Sequence, residues 1–138
     1  MIPKKICIVD DDDLYKLLLK KTIQNLKINT EVISFSNGEE AIKGLFALNS
    51  NSENLPDIIL LDINMPVMDG WEFMEHYLAL KQNFLKEMTL YIASSSIASQ
   101  DIQKSKSFNE ISGYLVKPIF KETIKNLLEE KVFYCNKK

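Results

Sequence analysis

Residues 58–70 of the chain have the sequence IILLDINMPVMDG, in which four consecutive apolar residues are followed directly by an aspartate, Asp62. Pro56 precedes this run, and Pro66 and Gly70 follow it, so residues that favour turns bound it on both sides. A short, continuous apolar run of this kind is typical of a strand that is buried on both faces of a sheet. The segment therefore predicts a central strand of a parallel sheet, with Asp62 at its carboxyl end.

Four further apolar runs, each followed by a segment with helical spacing, flank this central strand in the sequence. Strands are predicted at residues 6–9, 30–35, 58–61, 90–93 and 113–116. Helices are predicted at residues 14–26, 39–48, 71–80 (71–85 if extended), 97–108 and 120–133. The fourth helix is supported by few apolar positions, because Ser, Gln, Lys and Asn dominate it. Strands that alternate with helices in this way predict a doubly wound α/β fold, with a parallel sheet and helices on both faces.

The composition of the chain limits the classes of protein to which it can belong. It has 138 residues, of which 46% are hydrophobic and 26% charged, and its formal net charge is -2. We therefore expect one globular domain spanning residues 1–138, with its core from about 4 to 133. We expect no binding of nucleic acid or anionic lipid, since no overall positive charge would attract them.

The sequence gives no signal for secretion or membrane insertion. The N-terminal segment has an apolar run of only four residues before the aspartates that begin at residue 10, which is too short for a signal peptide. No run of 18 apolar residues occurs elsewhere. We expect a cytoplasmic protein in which Cys7 and Cys135 are reduced thiols, because they do not form a CxxC motif.

Polar residues stand at the ends of four of the predicted strands. Aspartates at 10–12 follow the first strand, Asp62 follows the third, a serine run from Ser94 follows the fourth and Lys117 follows the fifth. The carboxyl ends of parallel strands lie at one edge of a sheet, and ligands in such folds bind there. The sequence therefore predicts one site at this edge.

These residue types together indicate phosphoryl transfer assisted by a metal ion. Clustered carboxylates without Cys or His favour a hard cation, and Mg²⁺ commonly binds one or two carboxylates while it bridges to phosphoryl oxygens. The carboxylate of Asp62 can act as the nucleophile. The Lys117 ammonium and the Ser94 hydroxyl can stabilise the other phosphoryl oxygens in the transition state. Each feature is ordinary by itself, since acidic runs are usually solvated turns or helix starts; the specific signal is their order along the strands.

Three stretches together resemble the receiver domain of bacterial two-component response regulators. They are IVDDD at 8–12, LLDINMPVMDG at 60–70 and GYLVKP at 113–118. The resemblance covers about residues 4 to 133. It implies a flavodoxin-like (CheY-like) fold with five strands in the order 2-1-3-4-5, and a role in phosphorelay signal transduction in which a phosphorylated aspartate switches a protein-interaction surface.

The resemblance also implies how the acidic residues would act. Asp62 would accept the phosphoryl group from a sensor histidine kinase or a histidine phosphotransfer protein. Mg²⁺ would be bound by Asp62, directly by Asp11, through water by Asp10, and by the backbone carbonyl of Asn64. No output domain follows in this sequence, so the protein is expected to act by docking an unknown downstream protein target, or by relaying or draining phosphate in a phosphorelay.

Three further residues acquire roles from the same resemblance. Ser94, or Ser95 if the register is shifted by one, would be the hydroxyl that follows the phosphoryl group. Tyr114 would be the aromatic residue that turns inward after it. Lys117 would supply the ammonium, and its peptide bond to Pro118 would be cis.

Two other functions remain open from the sequence. A haloacid-dehalogenase-type phosphatase also places a nucleophilic aspartate at a strand end, but it requires a second acid two residues later, where this chain has Asn64. A receiver that is never phosphorylated and serves only for protein interaction would not need Asp11, Asp62, Ser94 and Lys117 together. We therefore expect no enzyme activity beyond self-phosphorylation and autodephosphorylation. Residues 49–54 and 80–87 are predicted to be small insertions relative to the family.

Overall fold

The computed structural model describes residues 3–129, in which five strands alternate with five α-helices. The strands are β1 (Lys4–Val9), β2 (Thr30–Phe35), β3 (Ile58–Leu61), β4 (Thr89–Ser94) and β5 (Ile111–Val116). The helices are α1 (Asp13–Asn25), α2 (Gly38–Leu48), α3 (Gly70–Leu80), α4 (Ser99–Lys106) and α5 (Lys121–Leu128). Every strand and helix that the sequence predicts is present, including the polar fourth helix.

The strands form one parallel sheet in the order β2-β1-β3-β4-β5, which confirms the predicted flavodoxin-like fold. The chain runs outward from β1 to β2 and then returns past β1 to β3, so the direction of winding reverses between β1 and β3. Val9 pairs with Leu61 at the carboxyl ends of these two strands. Asp10 and Asp62 follow these residues directly, so the topology places two acidic residues side by side where ligands bind in folds of this class.

The alternating side chains of the strands build a hydrophobic core on each face of the sheet. On one face α2 and α3 cover a core whose fully buried members include Leu45, Leu55, Ile59, Leu61, Phe73 and Met74. On the other face α1 and α5 cover a core that includes Ile6, Ile8, Ile23, Leu60 and Ile124. Burial of each large aliphatic side chain contributes about 1.5–3 kcal/mol. Packing of the two cores therefore fixes the positions of the strand ends and of the polar residues that follow them at the carboxyl edge.

Aspartates begin the two helices that border this edge. Asp12 is the N-cap of α1, and its carboxylate accepts a hydrogen bond of 3.0 Å from the backbone N–H of Tyr15. Asp69 is the N-cap of α3 and forms a capping box with Glu72. Side chains of this kind satisfy backbone donors that a helix leaves free at its start. Asp12, the third aspartate after β1, thus acts as the N-cap of α1.

Helix α3 ends earlier than its longest predicted form, at Leu80, and residues 81–83 form a short 3-10 helix. The chain then becomes extended at Phe84, whose buried ring packs against Phe46 and Tyr77. The side chain of Asn49 holds this turn, because it donates to the carbonyl of residue 83 and accepts from the N–H of residue 85. The segments predicted to be insertions, 49–54 and 80–87, are therefore in contact with each other.

Some predictions concern residues that the structure does not describe. The predicted continuation of α5 to residue 133 and the second cysteine, Cys135, lie outside the described residues. Cys7 is a free, buried cysteine in β1, and burial raises the pKa of its thiol. Within residues 3–129, no helix has the length and apolar character needed to cross a membrane.

Candidate functional site

Three carboxylates meet where the chain leaves β1 and β3. Asp10, Asp11 and Asp62 each offer one oxygen, and these oxygens all lie within 4.8 Å of one another. Asp10 and Asp62 are buried, whereas Asp11 is exposed. The cluster is thus set into the carboxyl edge of the sheet and opens to solvent on the side of Asp11.

A lysine side chain at the same carboxyl edge of the sheet reaches this cluster. Lys117 follows β5, and its Nζ lies 2.5 Å from Oδ2 of Asp10 and 3.6 Å from Oδ2 of Asp62. Its backbone N–H donates to the carbonyl of Ser94 at the end of β4, at 2.9 Å. The peptide bond between Lys117 and Pro118 is cis, as the family resemblance implied. One ammonium therefore pairs with two members of the three-carboxylate cluster, Asp10 and Asp62, which leaves an excess of negative charge.

The serine run places Ser94, rather than Ser95, at the end of β4. Ser94 is the last residue of the strand, pairs with Val116 and is fully buried, whereas Ser95 is exposed. The Oγ of Ser94 accepts a hydrogen bond of 3.1 Å from the backbone N–H of Ser96. In this conformation the Ser94 hydroxyl is bonded to the loop after β4.

The same loop is linked to β5 and to α4. The hydroxyl of Tyr114, a buried residue of β5, donates to the carbonyl of Ser96 at 2.8 Å. The hydroxyl of Ser96 donates to the carboxylate of Asp101 in α4 at 2.6 Å and accepts from the N–H of Ala98 at 3.2 Å. Ser94 and Tyr114 are therefore connected through one residue, Ser96, whose side chain also holds the first turn of α4.

Comparison with known proteins assigns this arrangement of residues to a family. Residues 6–129 match the family model of the response regulator receiver domain. The chain belongs to this family. Chemotaxis protein CheY-3 of Vibrio cholerae is 29% identical over 126 residues, which cover 91% of this chain and 89% of that protein. The predicted identification as a CheY-like receiver of two-component response regulators is confirmed.

Solved structures of response regulators share the fold of this receiver. A two-component response regulator from Cytophaga hutchinsonii has a TM-score of 0.83 at 27% identity, and the match covers 94% of this chain and 97% of that chain. The phosphorylated cyanobacterial phytochrome response regulator RcpA has a TM-score of 0.73 at 26% identity, with 93% of this chain and 90% of that chain covered. The structural similarity therefore extends over nearly the whole length of both chains in each comparison.

The receiver's Asp62 carboxyl group lies in an environment that disfavours its charge. The pKa of Asp62 is raised to about 6: burial raises it most, the Lys117 ammonium lowers it, and the negative charge of Asp10 raises it. The backbone N–H of Ile63 donates to Oδ1 at 2.8 Å and favours the ionised form. The remaining oxygen, Oδ2, faces Lys117. Burial and carboxylate repulsion thus outweigh the nearby ammonium and the hydrogen bond.

The chemistry of this cluster fits a hard cation. Its donor atoms are carboxylate oxygens alone, without the sulfur or imidazole that softer metals prefer. A divalent cation between these oxygens would offset the excess negative charge and favour the ionised form of Asp62. The receiver thus has a carboxylate cluster that could bind a metal ion.

Replacing Asp62 with asparagine is expected to stabilise the metal-free protein by about 2 kcal/mol at pH 7.5. The folded-state pKa, about 6, is above that of the unfolded chain, about 4, so the folded protein retains this proton while the unfolded chain releases it. Wild-type stability therefore falls as the pH rises from about 4 to 6, a loss that the asparagine variant does not share. Urea unfolding in EDTA at pH 4 and pH 7.5 measures this difference, which should nearly vanish at pH 4.

Asp57, at the other end of β3, provides a matched control for the charge effect. Partial burial raises the pKa of Asp57, but hydrogen bonds from the Lys86 ammonium and the Lys5 backbone N–H outweigh it, so the pKa is lowered. The change Asp57→Asn is therefore expected to destabilise the protein at pH 7.5. Equal effects of the two substitutions would contradict the electrostatic explanation.

The sequence pattern did not single out one residue that borders the site. Tyr15, in the first turn of α1, places its ring 4.2 Å from the Nζ of Lys117, measured to the ring centroid. Its only signal in the sequence is an aromatic residue three positions after the acid that caps α1. Asn64, whose backbone carbonyl the family resemblance implies as a metal ligand, lies in the loop after β3 and is exposed.

Proposed function

We propose that Asp62 accepts a phosphoryl group in a Mg²⁺-dependent reaction and that this switches a protein-interaction surface. One observation carries the proposal: the Asp62 carboxylate lies within 4.8 Å of oxygens of Asp10 and Asp11 and has the Lys117 ammonium 3.6 Å from its Oδ2. A nucleophile, a set of metal ligands and a fixed cation therefore share one small site. These are the parts that phosphoryl transfer to a carboxylate requires.

The donor is a phosphohistidine of a sensor histidine kinase or of a histidine phosphotransfer protein. A carboxylate oxygen of Asp62 attacks the phosphorus atom, the P–O bond forms, and the P–N bond to the imidazole breaks. The imidazole leaves with the electron pair of that bond and takes up a proton. The product is an acyl phosphate, whose hydrolysis returns the free carboxylate and inorganic phosphate.

Mg²⁺ would be held by Asp10, Asp11, Asp62 and the backbone carbonyl of Asn64. When bound, it supplies positive charge to a phosphoryl oxygen and to the carboxylates. Lys117 contributes a second positive charge near the transferred group, in a site where its neighbours Asp10 and Asp62 are buried. Asp62 must be ionised to attack, and the positive charges favour this form at neutral pH.

Ser94 and Tyr114 would transmit the modification to the protein surface. Ser94 Oγ accepts from the N–H of Ser96, and its own O–H is available to donate to a phosphoryl oxygen, so a shift of Ser94 towards that oxygen would alter its bond to Ser96. Ser96 also accepts the hydrogen bond of Tyr114, so its movement changes the hydrogen bonding of the aromatic residue. The surface formed by the start of α4 and by β5 would then differ between the two states and recruit a downstream protein.

The catalytic activity of the chain would be restricted to its own phosphorylation and dephosphorylation. The proposed signalling role places the receiver in the cytoplasm, together with its kinase, and involves no nucleic acid or membrane.

Incubation of the wild-type protein with acetyl phosphate and Mg²⁺ tests the proposal. We expect a mass increase of one phosphoryl group, loss of this modification in hydroxylamine, and no modification in EDTA. Borohydride reduction followed by peptide mapping should locate the acyl phosphate at Asp62. A label that maps to another residue, or that forms equally well in EDTA, would contradict the proposed function.

A further inference from the structure

The ring of Tyr15 forms one side of the position that the Lys117 ammonium occupies. The ammonium lies over the ring, with its Nζ 4.2 Å from the ring centroid, and it forms ion pairs with Asp10 and Asp62. An ammonium at this distance from an aromatic face is attracted by the negative charge of the ring face, most strongly when both are shielded from water. The Lys117 side chain is only 16% exposed, so this attraction is weakly screened.

The hydroxyl of Tyr15 does not explain why a tyrosine lies here. Its oxygen is buried and has no hydrogen-bond partner among the described residues. Burial, together with the charges of Asp10 and Asp62, raises the pKa of this phenol, so the group stays neutral. A buried hydroxyl without a partner is destabilising. The favourable contact that Tyr15 makes in the site is therefore that of its ring face.

The acidic partners of Lys117 change during the proposed reaction, whereas the Tyr15 ring does not. The Lys117 side chain is a flexible four-carbon stem whose ordering costs conformational entropy. On phosphorylation the negative charge at Asp62 moves from the carboxylate to the phosphoryl oxygens, and Asp10 would share its charge with Mg²⁺ under the proposed function. The Tyr15 ring keeps the same electrostatic character in every state.

We propose that Tyr15 is a positioning residue, whose ring face holds the Lys117 ammonium beside Asp62 in both the free and the phosphorylated receiver. This inference rests on the proposed function, in which Lys117 acts on the transferred phosphoryl group. In the transition state the ring restricts the ammonium to the side on which charge develops. In the product it keeps the ammonium in place while the negative charge at Asp62 has moved to the phosphoryl oxygens.

Replacing Tyr15 with leucine removes the ring face and should lower the rate constant for phosphorylation by acetyl phosphate about five- to twentyfold. Tyr15→Phe retains the ring and should stay within about twofold of wild type, because it removes only the unpartnered hydroxyl. Tyr91, a half-buried tyrosine of β4 that packs against the same core, supplies a matched control. Tyr91→Leu should leave the rate unchanged, with urea unfolding of each variant confirming that it is folded under the assay conditions.

Nuclear magnetic resonance of the wild-type protein tests the contact without any substitution. The Lys117 ε-methylene protons should be shifted upfield by the Tyr15 ring, both in the free protein and with Mg²⁺ and beryllofluoride, a stable mimic of the phosphoryl group. An ε-methylene signal that returns to its random-coil position in the loaded protein would overturn the proposal. Rates of Tyr15→Leu equal to wild type, or a loss as large in Tyr91→Leu, would overturn it as well.

The two readouts separate this proposal from the proposed function. If the wild-type protein is not phosphorylated at Asp62, the proposed function fails, whatever the spectrum shows. If wild type is phosphorylated and Tyr15→Leu reacts equally fast, the proposed function stands and the positioning role of Tyr15 fails.

Discussion

Asp62→Asn is expected to reduce phosphorylation by acetyl phosphate to the background of the assay, a fall of at least about a hundredfold. The amide is nearly isosteric with the carboxylate and can still accept the hydrogen bond from the N–H of Ile63. It lacks the negative oxygen that attacks phosphorus and that would bind Mg²⁺. Mass spectrometry of the intact protein, with and without Mg²⁺, measures the effect.

Asp57→Asn provides the matched control for this substitution. Asp57 lies immediately before β3 and Asp62 immediately after it, so each change removes one negative charge next to one end of the same strand. Because Asp57 bonds to Lys86 and Lys5 at the opposite edge, the Asp57→Asn protein should be phosphorylated normally. Stable phosphorylation of the Asp62→Asn protein at another residue would refute the assignment of Asp62 as the acceptor.

The Asp62→Asn change should have opposite effects on stability and function. The same burial and carboxylate repulsion that raise the pKa of Asp62 make its charge costly in the metal-free fold. The charged Asp62 side chain thus destabilises the metal-free fold at neutral pH, whereas the proposed phosphorylation requires that charge. This combination is common where a site retains a group for its chemistry.

Gly70→Ala is expected to destabilise the protein by about 2–4 kcal/mol and to slow phosphorylation. Gly70 is the first residue of α3, and its backbone N–H bonds to the carbonyl of Ile63 at 2.8 Å. A Cβ atom at this position would clash with the backbone carbonyl oxygen of Asp62 and lie 2.9 Å from the Cα of Ile63. Because both obstacles are backbone atoms, relief requires α3 or the backbone at Asp62 and Ile63 to move. Urea unfolding and the rate of acetyl phosphate labelling measure the two effects.

Gly38→Ala is the control for Gly70→Ala. Gly38 is also the first residue of a helix and is also buried. A Cβ atom there would lie 2.9 Å from both the Cγ and the backbone oxygen of Met68. A methionine side chain can move at little cost, and the backbone contact is looser than at Gly70, so a loss of about 1 kcal/mol is expected. Equal losses at the two glycines would show that a general preference at helix starts, rather than the close approach to Asp62, determines the cost.

Periodicity alone predicted most of the fold because each segment carried its own signal. The continuous apolar run before Asp62 and the alternation of short strands with helices required a parallel sheet. Helix α4 was also predicted, although its sequence is polar, from the few apolar positions that recur in it. Local spacing predicted an end of α3 at residue 80 and left open an extension to residue 85, which the structure does not have. The end at residue 80 depends on Phe84 packing against Phe46 and on the side chain of Asn49, which belongs to a distant segment.

The sequence by itself determined the fold, the receiver family and the acidic, hydroxylic and cationic residues at the strand ends. The fold class and the shared edge follow from local periodicity and from the rule that the carboxyl ends of parallel strands lie at one edge. The family follows from the resemblance of the motifs at 8–12, 60–70 and 113–118. Only the tertiary structure decided that Ser94 rather than Ser95 ends β4, that Ser96 links Ser94 to Tyr114, and that the Tyr15 ring lies against Lys117. Such contacts join segments far apart in the chain, and their distances are set by how helices and strands pack. Residue order carries no direct record of those distances.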